Sequence, residues 1–268
     1  MEAKPRLPDD RVNLPSSHPL ADAGQLIAFV VALGLLLFAA VAYSVELVVW
    51  LLPHDTEVRL AHELWPAEEP TADDAERHEK LQALVEALAS GWPDNPYRLQ
   101  VRIAREEQPN AFALPGGLVL VTEGLLDSAE SENELAFVLG HEIGHFRGRD
   151  HLRGLGQGLL FQLVLASIGV GGGDIRLLGD TGLIAGLSFS RDQERAADRF
   201  GLELLQHHYG HAAGAGIFFE RVASSDPVHT SMPTFISTHP DPRERAAEIR
   251  KLAAQRGYRL QGRLRPPL

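Results

Sequence analysis

The chain has 268 residues, enough for one large domain with accessories. Its 25 Lys and Arg stand against 36 Asp and Glu, a formal charge of −11, which argues against a nucleic-acid partner because phosphates would be repelled. There is no cysteine, so disulfides and a thiol nucleophile are excluded, and any metal would have to be held by His, Glu and Asp.

Residues 1–25 carry prolines, mixed charge and few apolar side chains, the composition of a disordered tail. Leu26–Leu52 is apolar apart from small residues, Tyr43, Ser44 and Glu46. Its 27 residues would span roughly 40 Å as a helix, more than the hydrocarbon of a bilayer. The run is too long and starts too late for a signal peptide, and no small-residue cleavage pattern follows it. Residues 26–52 therefore read as an uncleaved transmembrane anchor in contact with lipid, with Trp50 at the interface. Lys4, Arg6 and Arg11 precede the segment and only Arg59 follows closely, which favours a cytoplasmic N-terminus. That orientation puts a single-pass protein in the cell (inner) membrane with its body outside the cytoplasm, periplasmic in a bacterium. Residues 53–71 are acidic and proline-broken and read as a linker, leaving 72–268 as the main domain.

Leu81, Leu84, Val85 and Leu88 have the i, i+3, i+4, i+7 spacing of an amphipathic helix within 72–90. Tyr97–Ala104 then alternates, with Leu99, Val101 and Ile103 on one face, as a strand does. Ala111–Leu114, the Pro115-Gly116-Gly117 turn and Leu118–Thr122 read as a hairpin. From Ser131 onward the pattern is mainly helical, so the expected fold is α+β, predominantly α, with a small antiparallel sheet. Leu159–Val170 is apolar but too short to span a bilayer, and Gly171-Gly172-Gly173 breaks it. Segment 155–187 is expected to be a core helix and a flexible loop, the alternative being a membrane-dipping or site-covering segment.

The chemistry sits in His141-Glu142-Ile143-Gly144-His145. Positions i and i+4 share a helix face, so both imidazoles can address one metal ion, and Glu142 lies one residue round from the first. Two histidine ligands, an open position for water and a carboxylate base are the parts of a zinc hydrolase. Ser131 and Glu134 form a capping-box pattern that would open the helix. Two histidines leave a tetrahedral zinc short of a third protein ligand. Glu194 is the best candidate, in a second helical stretch from Ser190 to His207. Asp198 lies four residues on, placed to accept the distal N–H of a metal-bound imidazole, and Ala196 and Ala197 suggest close helix packing.

Three blocks occur together: His141–His145, then Ser190-Arg191-Asp192-Gln193-Glu194-Arg195-Ala196-Ala197-Asp198-Arg199-Phe200-Gly201, then Thr238-His239-Pro240 with Arg245. Over roughly residues 72–250 the chain resembles the gluzincin metallopeptidases of family M48. With a single N-terminal anchor it is most like the Oma-type and BepA-like branch. The resemblance implies a gluzincin-type domain and one Zn2+ on His141, His145 and Glu194, with Glu142 as base. It further implies that His239 stabilises the oxyanion or occupies the fourth zinc position. Asn110, in Asn110–Gly117, matches a residue that holds substrate backbone. The strand Leu118–Val121 could pair with an extended peptide by β-augmentation. The reading is a membrane-anchored zinc endopeptidase acting on misfolded or unassembled polypeptides. Its rivals are a latent peptidase that acts as a chaperone-like binding module, and a structural zinc site in an adaptor. Oligomeric state is not legible from the sequence.

Overall fold

The computed structural model describes residues 19–64, 74–167, 189–224, 239 and 242–268. Residues 1–18 of the expected tail, 65–71 of the expected linker, 168–187 of the expected 155–187 segment, and Thr238 and Pro240 lie outside them. The elements in order are α1 (Pro19–Leu51), α2 (His54–Leu64), α3 (Ala75–Ala89), β1 (Gln100–Ala104), β2 (Ala111–Leu114) and β3 (Leu118–Thr122). They continue with α4 (Glu123–Ser128), α5 (Glu132–Gly148), α6 (Asp150–Ser167), α7 (Arg191–Tyr209), α8 (Ile217–Ser224) and α9 (Pro242–Arg256). The chain divides into two compact units, Met1–Leu47 and Val48–Leu268. The fold class is the expected one: a mostly helical α+β protein with a small sheet and one N-terminal apolar helix.

Helix α1 starts at Pro19, a residue suited to a first helical position, so the end of the expected tail is helical. Its 33 residues are long and apolar enough to cross a membrane. Helix α2 lies inside the expected linker 53–71 and does more than connect: Glu57 and Ala61 are buried.

The hairpin forms as expected, with β2 antiparallel to β3 and Ala113 opposite Val119. However, β1 pairs with β3 in parallel, Val101 opposite Val119, so the sheet is mixed rather than wholly antiparallel. The order β1-β3-β2 makes β3 the central strand. Leu118–Val121 is thus already paired on both sides and cannot accept a peptide; β2, with its buried residues Ala111–Leu114, is the strand next to the site helix.

Helix α5 is capped as its sequence suggests, the Ser131 hydroxyl accepting from the Glu134 N–H at 3.2 Å. The Glu134 carboxylate accepts from the Glu130 N–H at 3.0 Å, one residue before the usual capping-box donor. From Asn133 to Phe146 every residue of α5 is buried. Such a helix needs partners on all sides, and Leu81, Leu88, Leu202, Leu205 and Phe219 supply much of its surroundings. Helix α7 has the complete capping box, Ser190 with Gln193, and ends at Gly210 in the left-handed region (φ 72°).

Helices α5 and α7 meet along small residues. A Cβ added to Gly144 would lie 2.7 Å from the Ala197 Cα, and one on Gly140 would lie 3.1 Å from the Gly201 Cα. Backbones that approach this closely leave no room for a methyl group. Gly144→Ala should therefore push α5 from α7 and destabilise the protein by about 1–3 kcal/mol, the usual cost of overpacking. Gly158→Ala in α6, whose Cβ would meet nothing within 4 Å, should be neutral or stabilising by up to about 1 kcal/mol. Thermal unfolding of the two variants against wild type checks the pair.

Candidate metal centre

The closeness of α5 and α7 matters because carboxylate and imidazole side chains are short. His141 and His145 project from α5 with their Nε2 atoms 3.0 Å apart. Glu194, in the first turn of α7, brings Oε1 to 3.6 Å from His145 Nε2 and Oε2 to 3.6 Å from His141 Nε2. His239 completes the group, its Nδ1 3.0 Å from Glu194 Oε1 and 3.3 Å from His141 Nε2. The four side chains are buried, and one ligand atom from each lies within 4.8 Å of the others. Bonds of 2.0–2.1 Å to a tetrahedral zinc imply ligand separations of about 3.3 Å, so the nitrogen and oxygen donor set fits such an ion.

Each histidine on α5 has a carboxylate behind it. His141 Nδ1 lies 2.9 Å from Asp198 Oδ1, as the i, i+4 placement of Glu194 and Asp198 suggested. His145 Nδ1 lies 3.1 Å from Asp150 Oδ2, a partner that sequence reading missed. In both cases Nδ1–H donates to the carboxylate and the Nε2 lone pair is left for a metal. Arg149 makes the second contact possible. At φ 55° it is the one non-glycine residue with positive φ among those described, and it turns the chain so that Asp150, at the start of α6, faces back to His145. Gln193 of α7 also donates to Asp150 Oδ1 at 2.9 Å. A sequence signal existed: an acidic residue just past the His-bearing helix, followed by a new apolar run. Phe189 stacks on the His145 ring, with centroids 4.0 Å apart.

Arg245 of α9 is the buried counter-charge. It pairs with Glu194 Oε2 at 2.6 Å and with Asp198 at 2.6 and 2.9 Å, and stacks over Phe219 with its guanidinium carbon 3.9 Å from the ring centroid. Its place beside His239 in the sequence block gave no role; the structure supplies one.

These charges set the protonation states of the metal-free site. Burial pushes His141 down to about 3, helped by the Arg245 guanidinium, so it is a neutral imidazole. Burial also disfavours charge on His145, but hydrogen bonds to Asp150 and Glu194 outweigh it and raise it to about 10. Burial opposes ionisation of Glu194 and Asp198, yet His239 and Arg245 for the first, and Arg245 for the second, hold both below the usual carboxylate range.

Glu142 stands apart from the ligand group. Its Oε2 accepts from the Ala113 N–H of β2 at 2.9 Å, while Oε1 is buried without a hydrogen-bond partner among the described residues and lies 3.7 Å from His239 Nε2. Burial raises its pKa, the direction that suits a base working near neutrality. Asn110, just before β2, uses its Oδ1 to accept from Ala111 N–H at 2.9 Å, and its Nδ2 is buried without a partner among the described residues.

Comparison with known proteins agrees with this geometry. Residues 71–253 match the model of peptidase family M48. The mitochondrial metalloendopeptidase OMA1 of Schizosaccharomyces pombe is 34% identical over 60% of this chain and 48% of its own. A putative beta-barrel assembly-enhancing protease of Vibrio cholerae is 30% identical over 70% of this chain and 41% of its own. The metalloprotease LoiP of Escherichia coli is 29% identical over 66% of this chain and 70% of its own. The chain thus spans less than half the length of the first two. With the family model covering the sheet, both His-bearing turns of α5, Glu194 and Arg245, the chain belongs to peptidase family M48.

Proposed function

We propose that the protein is a membrane-anchored zinc endopeptidase that hydrolyses peptide bonds in misfolded or unassembled proteins, with residues 26–52 in the lipid and the catalytic domain, residues 72–268, on the extracytoplasmic face. One observation carries the catalytic part: a buried carboxylate oxygen with no hydrogen-bond partner among the described residues, Glu142 Oε1, sits beside a compact group of three histidines and a glutamate. A purely structural metal site has no use for such a base. The apolar length of α1 supports the anchor. Relatives named as a metalloendopeptidase and as a protease that enhances β-barrel assembly support proteolysis of other polypeptides.

In this reading His141, His145 and Glu194 hold one zinc per chain. Bound there, the ion would acidify water and polarise the scissile carbonyl. Glu142 takes the proton of the attacking water and returns it to the leaving amine. The Ala113 N–H fixes the direction of that carboxylate, so the base is aligned by the edge of the sheet. Asn110 Nδ2, without a partner among the described residues, is placed to donate to a substrate carbonyl, and β2 rather than β3 is the strand against which an extended peptide would lie. His239 supplies a donor to the developing oxyanion.

The position of His239 favours a second reading. Its Nδ1 already lies within the ligand group, so as a fourth ligand it would close the water position and leave a latent peptidase acting mainly as a binding module. The two readings separate on one variant. As an oxyanion donor, His239→Ala lowers kcat by about 10²–10³; as a latch, it raises activity.

Two further outcomes test the site itself. Glu142→Gln should slow casein hydrolysis at least ~10²-fold while zinc remains bound, as measured by metal analysis of the same sample. A variant that cuts at the wild-type rate would end the peptidase mechanism. Asp150→Asn should weaken zinc binding about 10- to 100-fold in competition with a chelating dye, because the His145 ring loses its orienting carboxylate.

A further inference from the structure

Glu57 is a buried acid outside the stretch that matches the family model, on the short helix α2 that follows the long apolar helix. Four donors converge on it. Oε1 takes His151 Nε2 at 2.8 Å and the Gly116 N–H at 3.2 Å; Oε2 takes the Tyr97 hydroxyl and Arg149 Nη2, both at 3.0 Å. Burial opposes its charge, but His151, Gly116 and Tyr97 hold its pKa down to about 2, so all four donors face a full carboxylate.

Each donor leads to the metal centre by a different route. Arg149 is the left-handed residue that turns α5 into α6 and delivers Asp150 to His145. Its other nitrogen, Nη1, donates to the carbonyls of Val49 and Leu52, both at 2.7 Å. His151, two residues on, has Nδ1 3.4 Å from the carbonyl oxygen of His145. Tyr97 packs on Phe146, the residue after His145, with ring centroids 5.3 Å apart. Gly116 is the turn of the hairpin whose strand β2 orients Glu142 through Ala113. That turn sits hard against α2, since a Cβ on Gly116 would lie 2.4 Å from the Ala61 Cβ. One carboxylate therefore touches both the corner that orients a metal-binding imidazole and the hairpin that orients the base.

We propose that Glu57 is a positioning residue for the metal centre, acting through Arg149 and His151 on the His145–Asp150 corner and through Gly116 on the strand that holds Glu142. The segment next to the apolar helix thereby belongs to the catalytic machinery and sets its geometry. This inference rests on the metallopeptidase reading of the site.

The test uses the whole 268-residue chain in detergent micelles, as wild type, Glu57→Gln and Glu57→Asp, with Co2+ as a spectroscopic stand-in for zinc. Gln keeps the size of the side chain but loses the charge that gathers the four donors. At saturating metal, Glu57→Gln is expected to shift the visible Co2+ bands, which report ligand geometry, and to raise the metal dissociation constant about 10-fold. On casein, kcat should fall about 10-fold with KM within about twofold. A merely structural role would lower the unfolding midpoint yet leave bands, metal affinity and kcat per folded molecule at wild-type values, and that result overturns the proposal. Should Glu57→Gln fail to fold, Glu57→Asp decides. It keeps the charge but, one methylene shorter, cannot hold all four donors, so unchanged bands and affinity overturn the proposal and a shift in both supports it. If wild type binds Co2+ but cleaves nothing, the peptidase reading fails while bands and affinity still decide the role of Glu57. Wild type that takes up no metal overturns both.

Discussion

Everything at the centre depends on how closely two helix backbones can approach. Gly140 and Gly144 stand immediately before His141 and His145, and Ala197 and Gly201 of α7 face them at van der Waals distance or less for any added methyl. Each glycine lets a ligand-bearing turn touch the neighbouring helix. A glutamate side chain reaches only a few ångströms from its backbone, so Glu194 comes within 3.6 Å of both imidazoles only because this seam holds α7 so near. The seam also puts Asp198 behind His141 and Gln193 beside Asp150. A packing constraint thus becomes a coordination constraint.

The electrostatics follow from the same crowding. Unpaired buried carboxylates are costly, and the fold answers with Arg245, which is nearly as buried as the groups it serves and bridges Glu194 and Asp198. The two α5 histidines are treated differently. Burial, with Arg245 beside it, keeps the His141 ring neutral, whereas His145, equally buried but set among Asp150, Glu194 and Glu142, would hold a proton until a cation displaced it. Both rings are nonetheless oriented alike, Nδ1 toward a carboxylate, because the acid lies behind each ring in the packing.

Much of this was legible in the sequence where the signal is local. The i, i+4 rule alone puts His141 with His145 and Glu194 with Asp198, and Ser131 and Ser190 mark the starts of their helices. The hairpin 111–122 is announced by Pro115-Gly116-Gly117. What could not be read depends on partners far apart in the chain. Alternation in Tyr97–Ala104 shows a strand but not its neighbour, so the parallel pairing that makes β3 central was invisible, and with it the reason β3 cannot take a peptide. Asp150 needed the left-handed turn at Arg149 to reach His145. Glu57 lies in a segment whose acidic, proline-broken composition reads as a connector, and its burial comes only from four donors brought together by the fold.

Glu142, Asp150, Glu194 and Asp198 are all buried, and among the described residues Arg245 is the one buried guanidinium near them. Even with the His145 ring protonated, these four carboxyls outnumber the two cationic groups among the described residues, an excess that a divalent cation would relieve. Any ion that binds the folded form alone stabilises it by mass action, about 4 kcal/mol at a thousandfold excess over its dissociation constant. Under the proposed function, the zinc ion would then hold the folded chain together as well as supply its chemistry, and metal supply would set stability and activity at once.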